Sequence, residues 1–145
     1  NEITKYVTGT DGKKMSKSKG NIIDIFLPEN KLKKQIMSIE TDSTHIDDAK
    51  DFNNCNVFKL FSLIADSQSI AQMKENYRLG GYGYGHAKKE LLNYILVNFK
   101  KERDRFNHFT NNPKEIETVL KVGAKKASIV ASEVLERVRH KLGYK

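Results

Sequence analysis

With one exception, the apolar residues of this chain recur at helical spacing, which confines it to a mainly α fold. Leu32, Ile36 and Ile39 fall on one face behind Pro28, a residue suited to a first helical turn. Val57, Phe58, Leu60, Phe61 and Ile64 mark a buried helix, and Ile70, Met73 and Tyr77 mark another. Ser69 followed by Gln72 resembles a capping box for that helix. Leu91, Leu92, Ile95, Leu96 and Phe99 give a long helix its stripe, with Phe106 further on. Asn112, Pro113 and Glu115 combine a cap, a first-turn proline and a capping acid, and Gly123 is expected to end that segment as a C-terminal cap. Val130, Val134, Val138 and Leu142 complete a last helix. The pattern predicts a bundle of about five or six helices, packed stripe against stripe.

The exception is Ile3-Thr4-Lys5-Tyr6-Val7, a β-branched and aromatic run that reads as a short strand. A lone strand has no ladder partner, so its sheet is expected in sequence outside this chain. The chain also starts at Asn1 and reads like the middle of something larger.

Charge narrows the partners. The net charge is +8, a balance that favours polyanions. It is unevenly spread: residues 1–34 hold eight lysines against four acids, and residues 86–105 hold six basic groups against three acids. Residues 40–66 carry six acids against Lys50 and Lys59. No stretch has the apolar length of a membrane span and no signal peptide is evident, so the expectation is a soluble, cytoplasmic protein without a membrane partner. The single cysteine, Cys55, excludes an internal disulfide and a cysteine-rich metal site, and reads as a small buried apolar group. The four histidines show no ligand spacing, and no zinc site is expected.

The segment that carries chemistry runs from Gly9 to Asn21. Lys13, Lys14, Lys17 and Lys19 lie within seven residues, interleaved with Ser16 and Ser18 around one apolar residue, Met15. Lysines are flexible point charges suited to phosphate oxygens, and serine hydroxyls add donors. Met15 can anchor the loop in an apolar pocket while the lysines face a ligand, with Gly9, Gly12 and Gly20 as hinges. Such a loop would clamp a polyphosphate as charge develops there. It is not a P-loop, because Lys14 follows Gly12-Lys13 where a serine or threonine is required. On composition alone, a solvated or disordered basic turn is the favoured account.

The string Lys14-Met15-Ser16-Lys17-Ser18, with Asp11-Gly12 before it and Gly20-Asn21 after it, resembles the KMSKS signature of class I aminoacyl-tRNA synthetases. Ile36-Met37-Ser38-Ile39 with Thr41-Asp42-Ser43, Asn56-Val57-Phe58-Lys59-Leu60, Gly81-Tyr82-Gly83, and Gly123-Ala124-Lys125-Lys126-Ala127 resemble the tryptophanyl enzymes. The resemblance covers essentially the whole chain, and the tyrosyl enzymes are its nearest competitor. It implies that residues 1–21 end a Rossmann catalytic domain and carry the signature loop. Residues 22–145 would form the C-terminal helical domain, of the kind that binds tRNA and its anticodon. It implies Lys14 and Lys17 as catalytic groups, and Lys14, Met15, Ser16, Lys17 and Ser18 as ATP-binding residues. The implied reaction joins tryptophan to ATP, with magnesium, and passes the product to the tryptophan tRNA. The implied assembly is a homodimer. The family's HIGH motif and tryptophan pocket are not in this chain, so the chain alone is expected to be inactive. An iron–sulfur cluster, carried by some members, is excluded by the single cysteine.

A second candidate is Gly81 to Gly85, which has the wrong spacing for a dinucleotide fingerprint. It reads as a flexible entry to a helix. A further reading is tRNA contact, with Tyr82 and Tyr84 stacking on bases and Lys88 and Lys89 on phosphates. Two other classes stay open on the residues alone: a non-catalytic basic RNA-binding module, and a helical interaction domain with a disordered basic head. Residues 1–21 are expected to be mobile when no sheet or phosphate holds them.

Overall fold

The computed structural model describes residues 6–144. It contains six α-helices among those residues: α1 (Glu29–Met37), α2 (Asn56–Ile64), α3 (Ser67–Leu79), α4 (Tyr84–Asn98), α5 (Lys100–Asn111) and α6 (Pro113–Lys141). The mainly α expectation holds. Residues 3–5 of the expected strand lie outside the described residues; Tyr6 and Val7 are irregular, and a single antiparallel bridge joins Thr8 to Lys14.

The chain folds as two compact units, one reaching Arg103 and one starting at Asp104. In the first, α4 packs against α1 and α2, and α2 packs against α3. The stripes read from the sequence meet there: Leu32 and Ile36 of α1, Val57 and Phe61 of α2, Met73 and Tyr77 of α3, and Leu91 of α4 are all essentially inaccessible. Each such side chain contributes about 1.5–3 kcal/mol by leaving water. Cys55 is buried in the same cluster as a small apolar group, within 3.5 Å of the Tyr77 hydroxyl.

Tyr77 organises the rings around it. Phe58 lies at 6.4 Å, and Tyr82 and Tyr84 stand edge-on to it at 5.5 and 5.9 Å. The acidic 41–54 segment is loop, as its polarity predicts, and is closed by Lys50. The Lys50 ammonium is buried and donates to the carbonyls of His45, Ile46 and Asp48 at 2.8, 3.0 and 2.9 Å.

Several expectations need correction. The cap of α3 is Asp66, not Ser69: its carboxylate accepts the Ser69 amide at 2.9 Å and also the Ser69 hydroxyl. The Tyr94 hydroxyl binds the same carboxylate. The stripe from Leu91 does not run on to Phe106, because Phe99 leaves helical geometry at the end of α4. Gly123 ends nothing: α6 passes through it without positive φ. The terminating glycine is Gly143, at φ +78°, where the Tyr144 amide reaches back to the Arg139 carbonyl at 2.9 Å. In the second unit α6 starts at Pro113, the expected first-turn proline, but Asn112 does not cap it with its side chain, which donates back to the His108 carbonyl at 2.7 Å, and the helix buries none of its residues. The stripe of Val130, Val134, Val138 and Leu142 is solvent-facing.

Candidate functional site

The lysine loop is built around one side chain. Asn21 is 3% exposed and uses its amide three times. Its Oδ1 accepts the Ser16 backbone N–H at 2.8 Å, and its Nδ2 donates to Asp11 Oδ1 at 2.7 Å and to the Lys14 carbonyl at 3.1 Å. Its own carbonyl accepts the Thr10 amide at 2.9 Å. Asp11 Oδ1 also accepts the Lys13 amide at 3.0 Å. The Asn21 bond, above all, holds the Asp11 carboxyl below its ordinary range, so this carboxylate is ionised near neutrality.

Glycine makes the compactness attainable at two places. A Cβ on Gly9 would stand 2.5 Å from the Asn21 side chain and carbonyl. Gly12 adopts φ +71°, a left-handed conformation, against the Asn56 amide of α2. The loop is moored to the helices there: Asn56 Nδ2 donates to the Glu40 carbonyl at 3.1 Å, and the Glu40 amide donates to the Thr10 carbonyl at 2.8 Å. Backbone and side-chain hydrogen bonds thus join the two ends of the 8–21 segment and tie it to α2.

The side chains sort by chemistry. Met15 lines an apolar cleft of about 260 Å³ with Val7, Ile23, Ile25, Leu91 and Phe99 among its walls. Lys13, Lys14, Lys17 and Lys19 are all exposed, and no described carboxylate forms an ion pair with any of them. Lys17–Lys19 form one 3-10 turn ended by Gly20 at φ +66°. The Ser16 and Ser18 hydroxyls meet at 3.0 Å. Four ammonium groups and two hydroxyls therefore stand on a hydrogen-bonded backbone whose apolar residue lines a separate cleft. That arrangement suits a polyanion with several oxygens to satisfy.

The tyrosine-rich turn is arranged differently. Tyr82 and Tyr84 give their rings to Tyr77, and the Tyr84 hydroxyl donates to Asp42 at 2.8 Å. Burial pushes the Tyr84 hydroxyl up to about 12 and the Tyr82 hydroxyl higher, so both stay protonated. Lys88 donates to the Met37 carbonyl at 3.0 Å, and burial lowers its ammonium below the ordinary value. Of the four residues, Lys89 alone is exposed, and the other three are half-buried. Sequence reasoning missed the roles of Asn21, Asn56 and Lys50. No local signal in the sequence marks Asn21, whose partners at 11, 14 and 16 meet it only in the folded loop.

Comparison with known proteins follows the same lines. A family model described as tRNA synthetases class I (W and Y) matches residues 2–145. The tryptophan–tRNA ligase of Campylobacter jejuni (strain RM1221) is 43% identical over 143 residues, which are 99% of this chain and 45% of that protein. That of Fusobacterium nucleatum is 40% identical over 137 residues, covering 94% of this chain and 42% of the relative. Among solved structures, the Campylobacter jejuni tryptophanyl-tRNA synthetase complexed with ADP and tryptophan superposes with a TM-score of 0.93 at 43% identity, over 99% of this chain and 45% of that one. The chain therefore spans less than half the length of these relatives.

Proposed function

The chain belongs to the class I tRNA synthetases for tryptophan and tyrosine, and on that premise we propose that it is the section of a tryptophan–tRNA ligase carrying the signature loop. The whole enzyme activates tryptophan with ATP, releasing pyrophosphate, and passes the tryptophanyl group to its tRNA. Residues 1–21 belong to the catalytic domain, and residues 22–145 form the helical domain. The assembly is a cytoplasmic homodimer. No helix among the described residues is long and apolar enough to cross a membrane.

The observation that supports this reading is the hydrogen-bonded loop with four exposed lysines and Met15 lining the apolar cleft. Lys14 and Lys17 stabilise charge on the polyphosphate as pyrophosphate leaves, and the Ser16 and Ser18 hydroxyls contact its oxygens. Met15 holds the loop in register. Magnesium arrives with ATP as part of that substrate; among the described residues no cluster of three metal-binding side chains exists. The tRNA runs over the basic helical surface, with Lys88 and Lys89 on its phosphates and Tyr82 and Tyr84 shaping the turn that presents them.

Tryptophan-dependent ATP–pyrophosphate exchange by the complete protein tests the proposal. Lys17→Ala is expected to slow adenylate formation by roughly a hundred- to a thousandfold, the usual effect of removing one preorganised charge. The Michaelis constant for ATP rises much less, because the contact forms as charge develops. A mutant that binds ATP weakly yet reacts normally once saturated would make the loop a binding device. Residues 1–145 alone are expected to give no exchange, and clear exchange by them would refute the division.

A further inference from the structure

We propose that Asn21 is a positioning residue for adenylate formation, fixing which side of the signature loop each residue presents. The inference rests on the loop's proposed role in that reaction. Its basis is geometric. One buried amide binds the Lys14 carbonyl and the Ser16 amide, the backbone groups on either side of Met15. Ser16 is extended, at φ −154° and ψ 137°. In extended backbone, alternate side chains point to opposite sides. Fixing residues 14 and 16 through one amide therefore directs Met15 to the apolar cleft and sends the Lys14 and Ser16 side chains the other way.

The Asp11 carboxylate makes the amide single-minded. It takes one Nδ2 hydrogen while the Lys14 carbonyl takes the other, so the amide's orientation is set by its partners. A flipped amide would set its oxygen against a carboxylate and a carbonyl. The absence of a Cβ on Gly9 leaves the room in which Asn21 sits. Asn21 is buried and acts through Lys14, Met15 and Ser16.

The experiment compares variants of the complete enzyme in tryptophan-dependent exchange and single-turnover adenylate formation. Asn21→Asp keeps the size and an oxygen for the Ser16 amide, but removes both N–H donors. The catalytic rate constant is expected to fall roughly ten- to a hundredfold, the effect of leaving a buried group unmatched. The Michaelis constant for ATP should move by less than about threefold, because ground-state contacts are unchanged. Combining Asn21→Asp with Asp11→Asn restores an N–H between the two side chains and should recover part of the rate. Gly9→Ala, which presses on Asn21 from the other side, should reproduce the same kinetic signature and decides the matter if Asn21→Asp does not fold. A normal rate constant in Asn21→Asp or Gly9→Ala, a change confined to the Michaelis constant, or no recovery in the exchanged pair would overturn the proposal. Lys17→Ala run alongside separates the two levels. If it has no effect, the reading of the loop fails; if it alone is impaired, only the positioning role fails.

Discussion

Gly12 and Gly20 offer a matched pair of perturbations. Both hold left-handed backbone, at φ +71° and +66°, so alanine at either meets the same conformational penalty of about 1–2 kcal/mol. Their surroundings differ. A Cβ at Gly20 meets nothing within 4 Å, whereas one at Gly12 stands 2.7 Å from the Asn56 amide. That amide can swing away only by abandoning the Glu40 carbonyl, which adds about 1 kcal/mol for the lost hydrogen bond. Gly20→Ala should therefore cost the loop about 1–2 kcal/mol and Gly12→Ala about 2–3 kcal/mol. Amide hydrogen exchange at Gly9, Thr10 and Ser16, whose N–H groups close the loop, reads the local opening directly. Exchange in Gly20→Ala should quicken by roughly five- to thirtyfold, and further in Gly12→Ala. Equal effects, or a larger one at Gly20, would refute the claim that Asn56 moors the loop. So would unprotected amides in the parent protein.

Three other outcomes are expected. Lys88→Glu with Lys89→Glu in the complete enzyme should raise the tRNA concentration needed for charging while adenylate formation stays nearly intact, and wild-type tRNA binding should weaken steeply with salt; loss of both steps together would contradict the assignment. Lys50→Met keeps the buried stem but removes three charge-assisted bonds, and should lower the urea-derived stability by about 2–3 kcal/mol, since water can replace part of the loss at this exposed loop; a change within measurement error would show that the ammonium does not hold the turn. Asp66 sits well below the ordinary carboxylate value of 3.8, first through the Tyr94 hydroxyl and then the Ser69 amide. Its depressed folded-state value means the contribution is present above about pH 4 and fades as acid is added. Asp66→Asn should therefore flatten the acid limb of the stability profile, and an unchanged limb would count against the cap.

The helices of the first unit were legible because their stripes have partners within the chain. Leu32 and Ile36, Phe58 and Phe61, and Met73 and Tyr77 lie at the spacing that buries them. The start of α6 was legible for a local reason, since Asn112-Pro113 permits little else. Errors arose where two local signals competed. Ser69 looks like a cap, yet Asp66 three residues earlier is the better acceptor and takes the Ser69 amide itself. Gly123 looks like a stop, yet an exposed glycine inside a helix costs only about 0.5–1 kcal/mol, too little to break a long one. The stripe of α6 promised packing that this unit does not supply. At the site, the lysines and Met15 could be read from their string, but Asn21 could not. Its importance comes from contacts with residues 11, 14 and 16 that only the folded loop assembles.

The ring cluster around Tyr77 has a practical optical consequence. The chain contains six tyrosines and no tryptophan, so tyrosine is its only intrinsic fluorophore of note. The rings of Tyr82 and Tyr84 lie 5.5 and 5.9 Å from that of Tyr77, distances at which excitation passes readily to and from the central ring. Their emission would be strongly depolarised while the first unit is folded and would recover anisotropy from this source once α3 and α4 separate. Free tryptophan, excited at longer wavelength, could meanwhile be followed without any background from these residues.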